Sequence, residues 1–179
     1  DNCVGLDTEF IRTDTFYPIP GLYQVASADQ VFLIDPLTIE DWQPFSTFLM
    51  DPKTLIVMHA CQEDLEMLNH HLKVQPTSVV DTQFAHAFTG VDYSLSYANL
   101  VRRTIGVELH KQQTRSNWLQ RPLSEEQLTY AADDVIYLVP MYQALRERML
   151  GGGRLSWFDE DMSIRGGMRS RIPAPTMPR

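Results

Sequence analysis

The first part of the chain alternates apolar and polar residues in short runs, which is the pattern of half-buried β-strands. Pro18, Pro20 and Gly21 mark a turn between the first two runs. We expect three strands joined as an antiparallel meander. They span Cys3–Phe10, Gly21–Ser27 and Gln30–Asp35.

Helical and strand-like segments alternate along the rest of the chain. The sequence therefore predicts an α/β fold, with a mixed sheet and flanking helices. The predicted elements are a helix at Ile39–Met50, a strand at Leu55–Met58, a helix at Cys61–Leu72, a strand at Ser78–Val80 and helices near Thr82–Phe88 and Ser94–Ile105. An irregular loop over Gly106–Pro122 then leads to a long helix at Ser124–Leu150. We expect Pro140 to kink that helix.

The domain organisation follows from where this pattern stops. Residues 1–150 are predicted to be one domain, which suits a chain of 179 residues. Residues 151–179 are rich in glycine and proline, and we expect a linker leading toward further C-terminal domains. The chain begins almost inside a strand, so we expect it to be a piece of a longer protein.

Composition restricts the compartment. Hydrophobic residues make up 44% of the chain, but apolar stretches such as Leu55–Met58 are far shorter than the roughly 20 residues of a membrane span. Cys3 and Cys61 are the only cysteines, which suits a reducing compartment and offers no disulfide framework. We expect a cytoplasmic monomer without membrane contact.

The distribution of charge indicates a candidate binding surface in one region. The formal charge of −8 argues against a general nucleic-acid binder, because phosphates repel acidic surfaces. The segment Asn99–Pro122 is locally positive, with Glu108 as its single acid. It predicts a phosphate-facing patch, with a solvated helix face and loop as the alternative. The basic residues are Arg102, Arg103, Lys111, Arg115 and Arg121.

Two acids of the first strand are candidates for metal chemistry. Asp7 and Glu9 are two residues apart, so both side chains project from one strand face. Neighbouring carboxylates repel each other, and a partly buried pair needs a neutralising partner such as a divalent metal ion. The alternative is a polar strand end exposed to water.

The position of each acid relative to the apolar stripe of its helix identifies further candidate site residues. In Cys61–Leu72, Asp64 lies roughly 75° from the centre of the apolar stripe, whereas Glu63 lies roughly 175° away. In the last long helix, Asp134 lies roughly 70° from the stripe's centre. Tyr130 is one turn before Asp134 on the same flank. We therefore expect Asp64, Asp134 and Tyr130 to border the interior.

Acids from three elements at the edge of the core point to phosphoryl chemistry. Two divalent ions held by carboxylates can activate water and stabilise an in-line phosphoryl displacement. We expect these ions to be Mg²⁺ or Mn²⁺, bound by Asp7, Glu9, Asp64 and Asp134. A tyrosine hydroxyl at Tyr130 could orient the attacking water.

The order and spacing of these motifs resemble the tyrosine-containing branch of the DEDD exonucleases. The three motifs are Asp7–Phe10, His59–Glu66 and Tyr130–Asp134. Further segments resemble ribonuclease D in particular. These are Asp7–Pro18, Leu33–Trp42, Val80–Gln83 and Lys111–Leu123.

The resemblance implies a ribonuclease-H-like fold and a 3′-5′ exoribonuclease. Its substrates would be RNA 3′ ends, chiefly tRNA precursors, and its products nucleoside 5′-monophosphates. Asp7 would bridge both metal ions, and Glu9 and Asp134 would hold the ion nearer the attacking water. Asp64 would act on the second ion, partly through water, and Tyr130 would position the nucleophile.

The resemblance also implies a substrate-contacting loop. Lys111 and Arg115 would neutralise phosphates, and Trp118 would either stack on a base or anchor the loop in the core. Asn117 stands where relatives usually carry an aspartate, which we interpret as a difference in substrate contact. We expect Asp81 to cap a helix. The helical nucleic-acid-binding domains (HRDC domains) that usually follow in the family are absent from this sequence.

Three other interpretations remain open at this point. A DNA-directed proofreading exonuclease, or a different RNA-trimming enzyme, would use the same chemistry. A catalytically inactive scaffold is disfavoured because all four acids and the tyrosine are present. An enzyme using His59 and Cys61 lacks an evident third orienting group.

Overall fold

The computed structural model describes residues 2–12, 15–90, 94–109 and 116–164. The strands are β1 (Asn2–Ile11), β2 (Ile19–Ala26), β3 (Val31–Ile34), β4 (Thr54–Met58) and β5 (Val79–Asp81). The helices are α1 (Gln43–Met50), α2 (Gln62–Leu72), α3 (Thr82–Ala87), α4 (Tyr97–Ile105), α5 (Glu125–Ile136), α6 (Leu138–Gly151) and α7 (Leu155–Ile164). In the described part of the chain, no helix has both the length and the apolar character needed to cross a bilayer.

The five strands form one mixed sheet in the order β3-β2-β1-β4-β5. β1, β2 and β3 pair antiparallel, whereas β1, β4 and β5 pair parallel. The predicted meander and the predicted α/β architecture are both confirmed. β1 therefore lies at the centre of the sheet, where both of its faces are covered.

Helices cover the two faces of the sheet with separate apolar clusters. One face packs against α1 and α2 through a cluster that includes Leu6, Tyr23, Leu49, Ile56 and Leu68. The opposite face packs against α5 and α6 through a cluster that includes Val57, Val80, Val135, Leu138 and Met141. Since side chains alternate along a strand, β1 contributes Leu6 to the first face and leaves its odd-numbered residues for the second.

A glycine lets β1 approach the second helix layer closely. A Cβ atom at Gly5 would lie 2.7 Å from the carbonyl oxygen of Val135 and 3.1 Å from the Cβ of Leu138. Only a residue without a side chain fits this gap without displacing the helices. The contact holds the end of α5 against β1, two residues before Asp7.

The predicted long helix is interrupted one turn before Pro140. We expected Pro140 to kink it, and the helix ends at Ile136, four residues before the proline, with α6 beginning at Leu138. Tyr137 lies between them, and its N–H donates to the carbonyl of Val135. In a continuous helix the N–H of residue 140 would donate to the carbonyl of Ile136. Proline lacks that N–H and its ring clashes with that carbonyl, so the break lies where Pro140 disrupts the helix. Pro140 itself lies in the first turn of α6, where a proline is tolerated.

The segment after Gly151 also differs from the sequence prediction. We expected a linker, but Leu155–Ile164 forms α7. Phe158 is fully buried, and its ring packs 5.4 Å from that of Phe88. One large aromatic residue docked in the core therefore outweighs the surrounding glycines. The rest of the predicted linker, 165–179, lies outside the described residues.

We expect Gly5→Ala to lower the free energy of unfolding by about 1–3 kcal/mol, because the added methyl group overpacks the contact with Val135. Urea unfolding of the metal-free protein measures this. Gly151→Ala is the matched control, since a Cβ there meets nothing within 4 Å. Equal stability of the two variants would show that β1 and α5 can separate without cost.

Candidate metal centre

β1 presents two carboxylates on the face covered by α5. Asp7 and Glu9 lie opposite Gln24 and Leu22 of β2, respectively. The register shifts at a β-bulge directly after Glu9. A bulge bends its strand and changes the direction of the side chains beside it. Asp7 and Glu9 are each partly exposed, so the pair sits at the boundary between core and solvent.

The first turn of α2 supplies Asp64. Its side chain is buried and accepts a short hydrogen bond from the hydroxyl of Thr8. Glu63, one residue earlier, is exposed and pairs with Arg12. The inward direction of Asp64 and the outward direction of Glu63 agree with the helical phase of the sequence. Thr8, which lies between the two β1 acids, thus connects them to the acid of α2.

α5 brings Asp134 and Tyr130 to the same place. Ligand oxygens of Asp7, Glu9 and Asp134 lie within 4.8 Å of one another. The Tyr130 hydroxyl hydrogen-bonds with Asp134. Val135 is fully buried, so the phase that places it in the core also turns Asp134 toward β1. Five of the predicted site residues thus converge from β1, α2 and α5.

Burial and mutual repulsion dominate the electrostatics of this cluster. Burial raises the pKa of Asp7 well above its ordinary range, and the three neighbouring carboxylates raise it further. Burial, followed by the charge of Asp134, raises the pKa of Glu9 to about 8. Burial also raises the pKa of Asp64 and of Asp134 to about 6, although each accepts a hydrogen bond that acts in the opposite direction. The cluster therefore binds protons unusually tightly.

Within the described residues, no ion pair links these acids to a basic side chain. The ion pairs there involve Arg12, Arg121 and Arg146 and lie elsewhere. Clustered carboxylate oxygens without a counter-charge are the ligand type preferred by Mg²⁺ and Mn²⁺. Asp7, Glu9 and Asp134 therefore fit a divalent ion, and Asp64 lies within electrostatic range of Asp7.

Asp81 organises the loop that carries Asp64. It caps α3 by accepting from the N–H of Gln83 at 2.8 Å, as predicted. It also accepts from the N–H groups of Ala60 and Cys61, at 2.9 and 3.2 Å. Ala60 has a left-handed φ of 50°, a conformation that is costly for alanine. Asp81 thus stabilises the strained turn from β4 into α2.

The same contacts remove the cysteine–histidine alternative. Burial, with the charge of Asp81 next, raises the pKa of the Cys61 thiol well above its ordinary value, so no reactive thiolate forms. The Nδ1 atom of His59 lies 2.9 Å from the Thr82 hydroxyl. Both residues therefore serve the structure of the turn.

Two residues of the site were missed in the sequence. Thr8 could have been found as the one polar position among Val4, Leu6 and Phe10 on its strand face. Tyr97 of α4 donates from its hydroxyl to the carbonyl of Asp133 at 2.9 Å. Burial, then the charges of Asp134 and Asp7, raise the pKa of Tyr97. No sequence pattern relates α4 to this part of α5, so Tyr97 could not be predicted.

Trp118, one of the predicted nucleic-acid contacts, is only 3% exposed. Its ring centroid lies 6.1 Å from that of Tyr130. A Cβ at Gly21 would come within 2.6 Å of the Trp118 Cβ. An indole in this position cannot stack on a base. Of the two roles expected for Trp118, the structure supports the anchor, which packs behind Tyr130.

The predicted basic patch is smaller than its sequence suggests. Arg121 forms two hydrogen bonds with Asp35, at 2.7 and 2.6 Å, and donates to the carbonyl of Gly21 at 2.7 Å. It therefore ties its loop to the sheet instead of facing phosphates. Arg102 and Arg103 are exposed on α4. Lys111 and Arg115, the other predicted contacts, lie outside the described residues.

Residues 1–150 match the family model described as 3′-5′ exonuclease. The chain is 47% identical over 158 residues to ribonuclease D of Pseudomonas paraeruginosa, covering 88% of this chain and 42% of that protein. It is 39% identical over 172 residues to ribonuclease D of Escherichia coli, covering 96% and 46%. The resemblance seen in the motifs is confirmed, and the chain spans less than half the length of these relatives.

Solved structures share the fold. The crystal structure of Escherichia coli RNase D, described as an exoribonuclease involved in structured RNA processing, superposes with a TM-score of 0.87 at 38% identity, covering 97% of this chain and 46% of that one. Brucella melitensis NrnC with bound Mg²⁺ has a TM-score of 0.78 at 22% identity, covering 98% and 91%. The second likeness shows the fold alone.

The raised pKa values predict that the metal-free protein loses stability as pH rises. Folded Asp64, Asp134 and Glu9 retain protons that the unfolded chain releases, so their contribution to the free energy of unfolding falls from about pH 4 to about pH 8. His59 and His71 act in the opposite direction, because burial lowers their pKa. Urea unfolding in EDTA across this pH range measures the summed contribution of the acids and the histidines to the free energy of unfolding.

Two variants of α5 test whether the acidic cluster causes this decline. Asp134→Asn should flatten the decline. Asp133→Asn makes the same charge change but removes only the smaller repulsion that Asp133 exerts on Asp134, so it should flatten the decline much less. Saturating Mg²⁺ should stabilise the wild-type protein more at pH 8 than at pH 5.5, because protons compete with the ion for the carboxylates. Equal slopes for the two variants would contradict the assignment of the cluster.

Proposed function

Because the chain belongs to the 3′-5′ exonuclease family, we propose that it hydrolyses RNA from the 3′ end and releases nucleoside 5′-monophosphates. The observation that carries this proposal is the convergence of Asp7, Glu9 and Asp134, with ligand oxygens within 4.8 Å of one another. The named relatives are ribonucleases D. Both relatives are longer than this chain, which covers 42% and 46% of their lengths.

The family depends on divalent metal ions, and the acidic cluster fits them. We infer two ions, Mg²⁺ or Mn²⁺, because the site contains four acids. A single ion would need fewer carboxylates. Asp7 lies between the other acids and would bind both ions. Glu9 and Asp134 would share one ion with Asp7, and Asp64 would serve the other. Divalent ions there would activate water and neutralise charge on the phosphate.

The role of Tyr130 follows from its hydrogen bond with Asp134. Burial, followed by the charge of Asp134, raises the pKa of Tyr130, so the hydroxyl stays protonated. A neutral phenol does not act as a general base at physiological pH. Tyr130 would instead orient the attacking water through its hydroxyl oxygen. Trp118, packed behind the Tyr130 ring, would maintain that orientation.

The substrate class is proposed from the relatives. The ribonuclease D name supports RNA 3′ ends, with tRNA precursors as the natural class. The described site gives no reason to require a protein partner, and we propose that the domain acts as a monomer. Recognition of the 2′-hydroxyl separates this function from a DNA-directed exonuclease, which would use the same acids.

The direct test is to incubate the protein with a 3′-extended tRNA and with single-stranded DNA, each with Mg²⁺ or EDTA. We expect stepwise shortening of the tRNA in Mg²⁺, nucleoside 5′-monophosphates as products and no reaction in EDTA. Equal shortening of DNA would support the proofreading alternative. Binding of RNA without cleavage in Mg²⁺ would support the inactive scaffold.

Matched variants test the assignment of the acids. Asp7→Asn, Asp64→Asn and Asp134→Asn should each lose activity by orders of magnitude, because each removes a charge that stabilises the transition state, at several kcal/mol. Glu63→Gln and Asp133→Asn change the neighbouring acids and should leave activity nearly unchanged. Folding is checked by urea unfolding in EDTA. The reverse ranking would refute the proposed site.

The loop that contains Lys111 and Arg115 is proposed to bind phosphates. Arg115→Ala should weaken RNA binding for all sequences and reduce the salt dependence by about one phosphate contact. A salt titration of RNA affinity in EDTA measures this without cleavage. Arg146→Ala is the control, because Arg146 pairs with Asp159 of α7 and not with the cluster. An unchanged slope for Arg115→Ala would remove this residue from the interface.

A further inference from the structure

A glutamine without hydrogen-bond partners lies inside the protein beside the acidic cluster. Gln24, in β2, is 0% exposed. Neither its Oε1 nor its Nε2 atom has a hydrogen-bond partner among the described residues. Burying an amide in this state costs about 1–3 kcal/mol. An apolar residue of similar volume would avoid this cost, so stability of the fold does not explain the glutamine.

The register of the sheet places Gln24 next to Asp7. The two residues are directly opposite each other in the antiparallel pair of β1 and β2. Opposed residues point to the same face, with Cβ atoms about 4.5–5.5 Å apart. The neighbours of Gln24 on that face are apolar: Leu22 and Ala26 along β2, and Leu33 across on β3. Asp7 is the polar side chain directly opposite the amide, and Glu9, which pairs with Leu22, is its more distant diagonal neighbour on the same face.

An amide suits this position chemically. Nε2 carries two N–H donors, and an ionised carboxylate accepts several hydrogen bonds. A carboxylate that ligates a metal ion keeps acceptor capacity on the side away from the ion. Hydrogen bonds of this kind fix the orientation of the ligand and are typically worth 10–100-fold in metal affinity. The amide adds no charge, so it does not compete with the ion.

We propose that Gln24 is a positioning residue for Asp7, donating from Nε2 to the Asp7 carboxylate when a divalent ion is bound there. This proposal rests on the metal-dependent function proposed above. Gln24 acts through Asp7 and contacts neither substrate nor the reacting atoms. The unsatisfied amide of the metal-free protein would gain its partner on metal binding, which couples the interior of the sheet to the occupancy of the site.

The test compares Gln24→Met with the wild-type protein. Methionine keeps the length of the side chain and removes the hydrogen bonds. Mn²⁺ affinity is measured by electron paramagnetic resonance without substrate, and stability by urea unfolding in EDTA. Gln24→Leu is a second variant in case methionine is not accommodated. Gln30→Met, at an exposed position of the β2–β3 turn, is the matched control.

We expect a dissociation constant for Mn²⁺ raised about 10–100-fold by Gln24→Met, with stability in EDTA unchanged or increased because a buried unsatisfied amide is removed. Gln30→Met should leave both quantities unchanged. Unchanged Mn²⁺ affinity in Gln24→Met and Gln24→Leu would overturn the proposal. Reduced stability in EDTA for both variants would assign Gln24 a structural role and also overturn it. A wild-type protein that binds no Mn²⁺ would refute the proposed function itself. Failure of the proposed function is therefore seen in the wild-type protein, whereas failure of the Gln24 proposal is seen in the variants.

Discussion

The repulsion among four partly or fully buried carboxylates is the constraint on which the rest of the structure depends. Burial raises the pKa of Asp7, Glu9, Asp64 and Asp134, and mutual repulsion raises that of Asp7 and Glu9 further, so the acids resist being held together without protons or cations. The fold holds them through contacts that do not involve charge. β1 lies in the centre of the sheet, and the carbonyl of Val135 closes on Gly5. Because this contact is made by backbone and packed side chains, repulsion cannot easily push α5 away from β1.

Much of this arrangement could be predicted from periodicity. A two-residue period placed Asp7 and Glu9 on one strand face, and a 3.6-residue period separated Asp64 from Glu63. Those rules succeed because β1, α2 and α5 each bury one side, so the direction of a side chain follows from its position relative to the apolar residues. The capping role of Asp81 was also predictable, since an aspartate at a helix start is a local signal.

The remainder depends on contacts between residues distant in the chain, which periodicity does not report. The sequence suggested that Arg121 binds phosphate. Its actual partner, Asp35, directly follows β3 and is distant from Arg121 in the sequence. Trp118 is buried because Gly21 leaves room for it. In each case a tertiary contact decided between two locally acceptable structures.

The partners of the acids are neutral donors, and this choice has a physical reason. Thr8 donates to Asp64, and Tyr130 hydrogen-bonds with Asp134. An arginine or lysine at either position would cancel the repulsion more completely, but it would also cancel the negative potential that attracts a divalent ion. Hydroxyl groups fix the direction of a carboxylate and leave its charge available to the ion. In the metal-free state the carboxylates therefore continue to repel one another, and relief of this repulsion contributes to the affinity for a divalent ion. The rigid contact at Gly5 prevents α5 from moving away from β1 to relieve it.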